Sequence, residues 1–102
     1  MIIMVSRKEI VEVLTECIDP EVGANIVDIG LIYNISIKEN DIKVYLTMTS
    51  PMCPVMSIIL ADVQLRLKKI PGVNNIDLEL VWDPMWTPEM MADSLKSTYG
   101  VY

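Results

Sequence analysis

Histidine is absent from the sequence. With it go the Ser-His-Asp triad, the Cys-His dyad and any imidazole metal site. A metal would have to be held by cysteine, carboxylates or a second chain. Cysteine is nearly absent too: Cys17 and Cys53 are the two present, far apart and with no Cys-x-x-Cys pair. One chain therefore cannot close a four-thiolate zinc or cluster site by itself. No apolar run approaches the roughly 20 residues that span a bilayer, and no Gly-rich phosphate loop is present. Basic residues are in the minority, eight against fourteen acidic ones, for a formal charge of −6. A nucleic-acid binder needs the opposite balance to displace counterions, and so does a protein docking on anionic lipid. The apolar opening, Met1 to Val5, lacks a basic leader and a small-residue cleavage site, so it is not read as a signal peptide. It is expected to be a packed N-terminal strand or a frayed apolar end. A cytoplasmic location follows as an expectation, and a disulfide is not expected there.

Apolar residues are well supplied, at 52% of 102 residues, enough for one domain spanning 1–102 and one core. Ser6-Arg7-Lys8-Glu9 fits a capping box and predicts a helix over about 7–17, with Ile10, Leu14 and Cys17 on one face. Asp19-Pro20 is expected to stop it. Residues 31–38 alternate as a strand, with Leu31, Tyr33, Ile35 and Ile37 on one face. Residues 42–49 repeat the alternation, and Glu39-Asn40-Asp41 between them predicts a hairpin. Pro54 suits the first turn of a second helix reaching about residue 69, with Met56, Ile59, Leu60, Val63 and Leu67 as its apolar stripe. Pro71-Gly72 ends it. Residues 76–82 read as a third strand. Thr87-Pro88 opens a short last helix that Gly100 would close. The order α-β-β-α-β-α predicts an α/β (α+β) two-layer sandwich with a small three-stranded mixed sheet. Its strand order stays open.

Cys53 lies in Thr49-Ser50-Pro51-Met52-Cys53-Pro54, between a strand end and a helix start. The positive end of a helix dipole favours thiolate, the form that ligates metal or attacks electrophiles. Thr49 and Ser50 could donate hydrogen bonds to the sulfur or to a ligand. A thiol filling a gap beneath the loop is the competing reading. Cys17 continues the helical stripe and is read as core. Asp19-Pro20-Glu21 brackets a rigid proline with carboxylates that could bind a cation, serve as acid or base, or simply be a solvated turn. Trp82-Asp83-Pro84-Met85-Trp86-Thr87-Pro88 either lids the sheet or offers Trp82, Met85 and Trp86 to a partner.

In this order, Asp19-Pro20-Glu21, Asn25-Ile26-Val27-Asp28-Ile29-Gly30-Leu31-Ile32-Tyr33, Thr47-Met48-Thr49-Ser50-Pro51-Met52-Cys53-Pro54 and Trp82-Asp83-Pro84-Met85-Trp86-Thr87-Pro88 carry a family pattern. The chain resembles the metal–sulfur cluster assembly family of SufT-like and PaaD-like proteins, whose eukaryotic relatives belong to the cytosolic iron–sulfur targeting complex. The resemblance implies a compact α/β domain that helps mature iron–sulfur proteins. It implies a ligand or reactive role for Cys53, with Asp19, Glu21, Thr49 and Ser50 lining the same pocket. It keeps Asp28-Ile29-Gly30 structural. PaaD-like relatives carry a further cysteine-bearing region that has no counterpart up to Tyr102, so a PaaD role in oxygenase assembly is not expected.

The function expected is an accessory factor that assembles or transfers a transient iron–sulfur cluster. The cluster would be shared between chains, in a homodimer or with a carrier, an ATPase scaffold or an apoprotein client. The rival is an adaptor that bridges carrier and client without binding metal. An enzyme with Cys53 as nucleophile would need a base, and without histidine only Asp19 or Glu21 could serve. No catalytic residue is assigned and no enzymatic activity is expected.

Overall fold

The computed structural model describes residues 5–50, 52 and 54–98. Cys53, the first four residues of the apolar opening and the Gly100 helix stop lie outside the described residues. Val5 is buried, and its N–H donates to the Asn40 side chain.

Helix α1 (Arg7–Leu14) begins at the expected capping box: Ser6 Oγ accepts from Glu9 N at 3.1 Å, and Glu9 Oε1 accepts from Ser6 N at 3.2 Å. It ends earlier than the apolar stripe predicts. Thr15 Oγ1 donates to Glu12 O at 2.6 Å, and the chain tightens into i→i−3 bonds from Glu16 N to Val13 O and Cys17 N to Leu14 O. The tighter winding keeps Cys17 in the core while releasing Ile18 into strand β1 (Ile18–Asp19). This strand pairs antiparallel with β2 (Ala24–Asn25), and a one-turn helix α2 (Ile26–Ile29) follows at once.

The main sheet contains β3 (Ile32–Lys38), β4 (Asp41–Leu46) and β5 (Ile76–Leu80), in the order β3-β4-β5. β3 and β4 form the predicted hairpin, with a register shift between Ile32 and Asn34. That irregularity takes Tyr33 out of the alternation read from the sequence: Tyr33 is the extra residue between the Ile32–Leu46 and Asn34–Tyr45 pairs, and Ile32 rather than Tyr33 packs against the core. β4 and β5 are parallel, which requires a crossover. Helix α3 (Met56–Lys68) supplies it.

Ile10 and Leu14 of α1, Ile59, Val63 and Leu67 of α3, and Ile42, Val44 and Leu46 of β4 share one core with Ile26, Ile29 and Leu31. The other sheet face carries exposed Asp77 and Glu79 and half-buried Lys43 and Tyr45. The architecture is the expected α+β sandwich with a three-stranded mixed sheet. After β5 the chain makes a 3-10 turn (Pro88–Met90) and a last helix α4 (Asp93–Thr98).

Candidate functional site

Three backbone hydrogen bonds assemble one end of the molecule: Ile26 N to Cys17 O at 3.0 Å, Leu31 N to Ile26 O at 3.0 Å, and Thr47 N to Leu31 O at 2.8 Å. They tie the β1–β2 ribbon, α2 and the chain leaving β4 to the carboxyl end of the parallel pair. Cys53 belongs to the segment that leaves from there toward α3. In open α/β sheets, ligands gather at the carboxyl ends of the strands.

Asp19 opens the turn that joins β1 to β2. Its Oδ1 accepts from Glu21 N at 2.9 Å and from Val22 N at 3.4 Å, and its carbonyl accepts from Gly23 N at 2.7 Å. This is an Asx turn, in which the side chain takes over backbone donors. The side chain is fully buried, yet Oδ2 has no hydrogen-bond partner among the described residues. A carboxylate oxygen withdrawn from water without a donor is costly, and in native proteins such groups mark strain, chemistry or an ion.

The other expected pocket residues are placed differently. Glu21 is exposed, whereas Thr49 and Ser50 are half-buried. Ser50 Oγ accepts from Met52 N at 3.1 Å. Among the described residues no three Cys, Asp or Glu side chains converge as a metal site. A shallow cleft of about 630 Å³ lies elsewhere, between Tyr33, Tyr45, Asp83 and Met90, and it includes none of these residues.

Two residues given no role from the sequence support the site. Asn25 caps α2: its Oδ1 accepts from Val27 N and Asp28 N, and its amide donates to Asp28 Oδ2 at 2.9 Å. The spacing of Asn25 and Asp28, three apart, was the available signal. Thr47 is fully buried at the exit of β4, and its place at the head of the Thr47–Pro54 segment was the available signal.

The tryptophan segment divides. Trp86 packs against the core and its Nε1 donates to Ile29 O at 2.9 Å, so it straps the chain to α2. Trp82 and Met85 are exposed.

Cys17 is 1% exposed and its thiol lies 3.7 Å from Val13 O. Burial first, then the Asp62 carboxylate, pushes its pKa up to about 11; Arg66 pulls the other way and Glu16 adds to the rise. An unfolded chain releases this proton near 9. Between 9 and 11 the unfolded state therefore binds fewer protons than the folded one, and stability falls as pH rises. The contribution is fully present below pH 9. Urea midpoints of the wild type are expected to decline through this window more steeply than those of Cys17→Ala, and parallel profiles would refute the assignment. At pH 8 iodoacetamide should leave Cys17 unmodified in the native protein.

Comparisons with known proteins agree on one group. Residues 7–78 match the family model described as iron-sulfur cluster assembly protein. A protein of Porphyromonas gingivalis named Fe-S protein maturation auxiliary factor is 33% identical over 93% of this chain and 91% of its own length. The Staphylococcus aureus Fe-S protein maturation auxiliary factor SufT is 36% identical over 82% of this chain and 97% of its own. A solved structure of a conserved hypothetical protein from Thermotoga maritima superposes with a TM-score of 0.88 at 43% identity, covering 99% and 100% of the two chains. The similarity spans the described fold from α1 through β5 and beyond, and the chain belongs to the iron-sulfur cluster assembly protein family.

Proposed function

We propose that the chain is an auxiliary factor that assists assembly of iron–sulfur clusters or their delivery to client apoproteins, with Cys53 as its thiolate ligand. The observation that supports this most is the Oδ2 of Asp19, which has no hydrogen-bond partner among the described residues. Asp19 is buried on the β1–β2 ribbon, which backbone bonds through Ile26 and Leu31 link to Thr47 at the exit of β4. A carboxylate there can accept a hydrogen bond from a cluster-bound group or offset the charge of incoming iron.

One thiolate supplies one of the four ligands that a cluster takes. The remaining ligands come from a second copy, a carrier or the client. Such a cluster is cargo: incomplete ligation by this chain keeps it exchangeable, so a client with more thiolates displaces Cys53. The parts of this chain have separable tasks. Asp19 organises the turn between β1 and β2, Ser50 accepts from Met52 N, and Trp86 fixes the C-terminal segment over α2.

Anaerobic reconstitution with ferrous iron and sulfide tests the reading. Wild type is expected to take up iron and sulfide with a visible cluster absorption, and Cys53→Ser is expected to lose at least about nine-tenths of both, as removal of a ligand demands. Uptake equal in the two proteins would remove Cys53 as a ligand. No uptake by either would leave the adaptor reading, which the exposure of Trp82 and Met85 favours; the protein would then bridge carrier and client without metal.

A further inference from the structure

The sheet has two outer edges, and they are treated differently. On β3 the outward-facing groups of Ile35 are occupied by the chain itself: Asn34 Oδ1 accepts from Ile35 N at 2.8 Å, and Arg7 Nη2 donates to Ile35 O at 2.8 Å. Edges blocked in this way resist pairing with another strand.

Among the described residues nothing pairs with the β5 edge. Asn75 O accepts from Ile42 N, and Val81 N donates to Leu46 O, both at 2.8 Å. In a parallel ladder alternate residues bond the same neighbour, so 75, 77, 79 and 81 face β4. The N–H and C=O groups of Ile76, Leu78 and Leu80 then point away from the sheet, and no hydrogen bond among the described residues uses them. The side chains alternate along this edge. Ile76, Leu78 and Leu80 pack toward the core, while Asp77 and Glu79 stand exposed on the other face. Among the described residues Lys43 is the one cation beside both carboxylates, at 3.6 Å and 3.4 Å.

We infer that β5 takes up an extended segment of a partner protein as a fourth strand, one whose basic residues alternate with apolar ones. Main-chain bonds to Ile76, Leu78 and Leu80 would supply affinity, as in other strand additions. Directly opposed side chains share a face, so lysine or arginine would sit opposite Asp77 and Glu79, and apolar residues opposite Leu78. A second copy of this chain fits poorly. Antiparallel self-pairing centred on Leu78 sets Asp77 against Glu79, and parallel pairing in register sets each carboxylate against its twin. Both arrangements oppose like charges. The surface goes beyond the cluster reading and stands without Cys53.

The probe is a fluorescein-labelled heptapeptide, Thr-Lys-Val-Arg-Val-Lys-Thr, added to the full chain and to Cys53→Ser at low salt. Binding is expected to slow amide hydrogen exchange of Ile76, Leu78 and Leu80 at least about tenfold and to leave Asp77 and Glu79 unchanged. A peptide N-methylated along one edge, which cannot complete the ladder, should lose this effect. Charge reversal by Asp77→Lys with Glu79→Lys should weaken the peptide at least about tenfold. Lack of protection at the three amides would overturn the proposal. So would equal binding of a peptide with glutamate in the basic positions. Slow exchange of the three amides in dilute free protein would overturn it too, since the edge would already be covered by the chain or by a second copy. Loss of cluster uptake in Cys53→Ser with peptide binding intact separates the two readings.

Discussion

Gly30→Ala is expected to destabilise the protein by about 3–5 kcal/mol, a large part of the 5–15 kcal/mol typical of a domain. Gly30 ends α2 with φ +90°, where an alanine costs about 1–2 kcal/mol. An added Cβ would also run into the backbone carbonyl of Met90. A side chain could swing aside there, but Met90 is held on a strap that cannot. Trp86 Nε1 donates to Ile29 O at 2.9 Å, Ala92 N to Asp28 O at 2.7 Å, and the Tyr33 hydroxyl to Pro84 O at 2.6 Å. Lifting the strap forfeits several of these bonds, each worth about 1 kcal/mol. Gly23→Ala is the comparison. Its φ is +79° with nothing within 4 Å of an added Cβ, so it should cost only about 1 kcal/mol. Urea denaturation checks both, and tryptophan emission of native Gly30→Ala should shift to longer wavelength as Trp86 loosens. Equal losses in the two variants would show that contact with the strap contributes nothing.

Long periodic stretches were legible in the sequence because their pattern repeats enough times to be unambiguous. The α3 stripe and the Ser6–Glu9 capping box appear in the structure, the 31–38 alternation holds from Asn34 onward, where the register shift at Tyr33 is past, and the 42–49 alternation holds as far as Leu46. The β1–β2 ribbon and α2 were not legible: two-residue strands and a single helical turn are shorter than any period they could display. They are stabilised instead by tertiary bonds, such as Ile26 N to Cys17 O, and by the Asn25 cap. The strand order was hidden for a related reason. Parallel pairing of β4 with β5 depends on how α3 folds back, and no residue within either strand encodes it. At the site, the motifs drew attention to Asp19 but could not tell a solvated turn from a buried carboxylate. Glu21, two residues on, shares the motif and is exposed. Burial is a property of the assembled end of the molecule, not of the tripeptide.

That burial makes Asp19 the place where fold and function can be separated by one atom. Asp19→Asn keeps an oxygen to accept from Glu21 N and Val22 N, and replaces Oδ2, which has no partner among the described residues, with an amide nitrogen. Stability is expected to change by no more than about 1 kcal/mol, because removing a buried charge offsets the new unpaired donor. Asp19→Ala loses both turn bonds and leaves a small void, and about 2 kcal/mol of destabilisation is expected. Iron and sulfide uptake on reconstitution should behave differently, falling at least about tenfold in both variants, the range seen when a group supporting a metal ligand is removed. A well-folded Asp19→Asn protein with wild-type uptake would show that the carboxylate serves only the turn. Uptake lost in parallel with stability, and preserved in the asparagine variant to the extent that the fold is preserved, would likewise confine the carboxylate to the turn. Uptake lost while the asparagine variant melts with wild-type cooperativity would mean that Oδ2 is kept unpaired for the cargo, and that the turn geometry exists to hold it there.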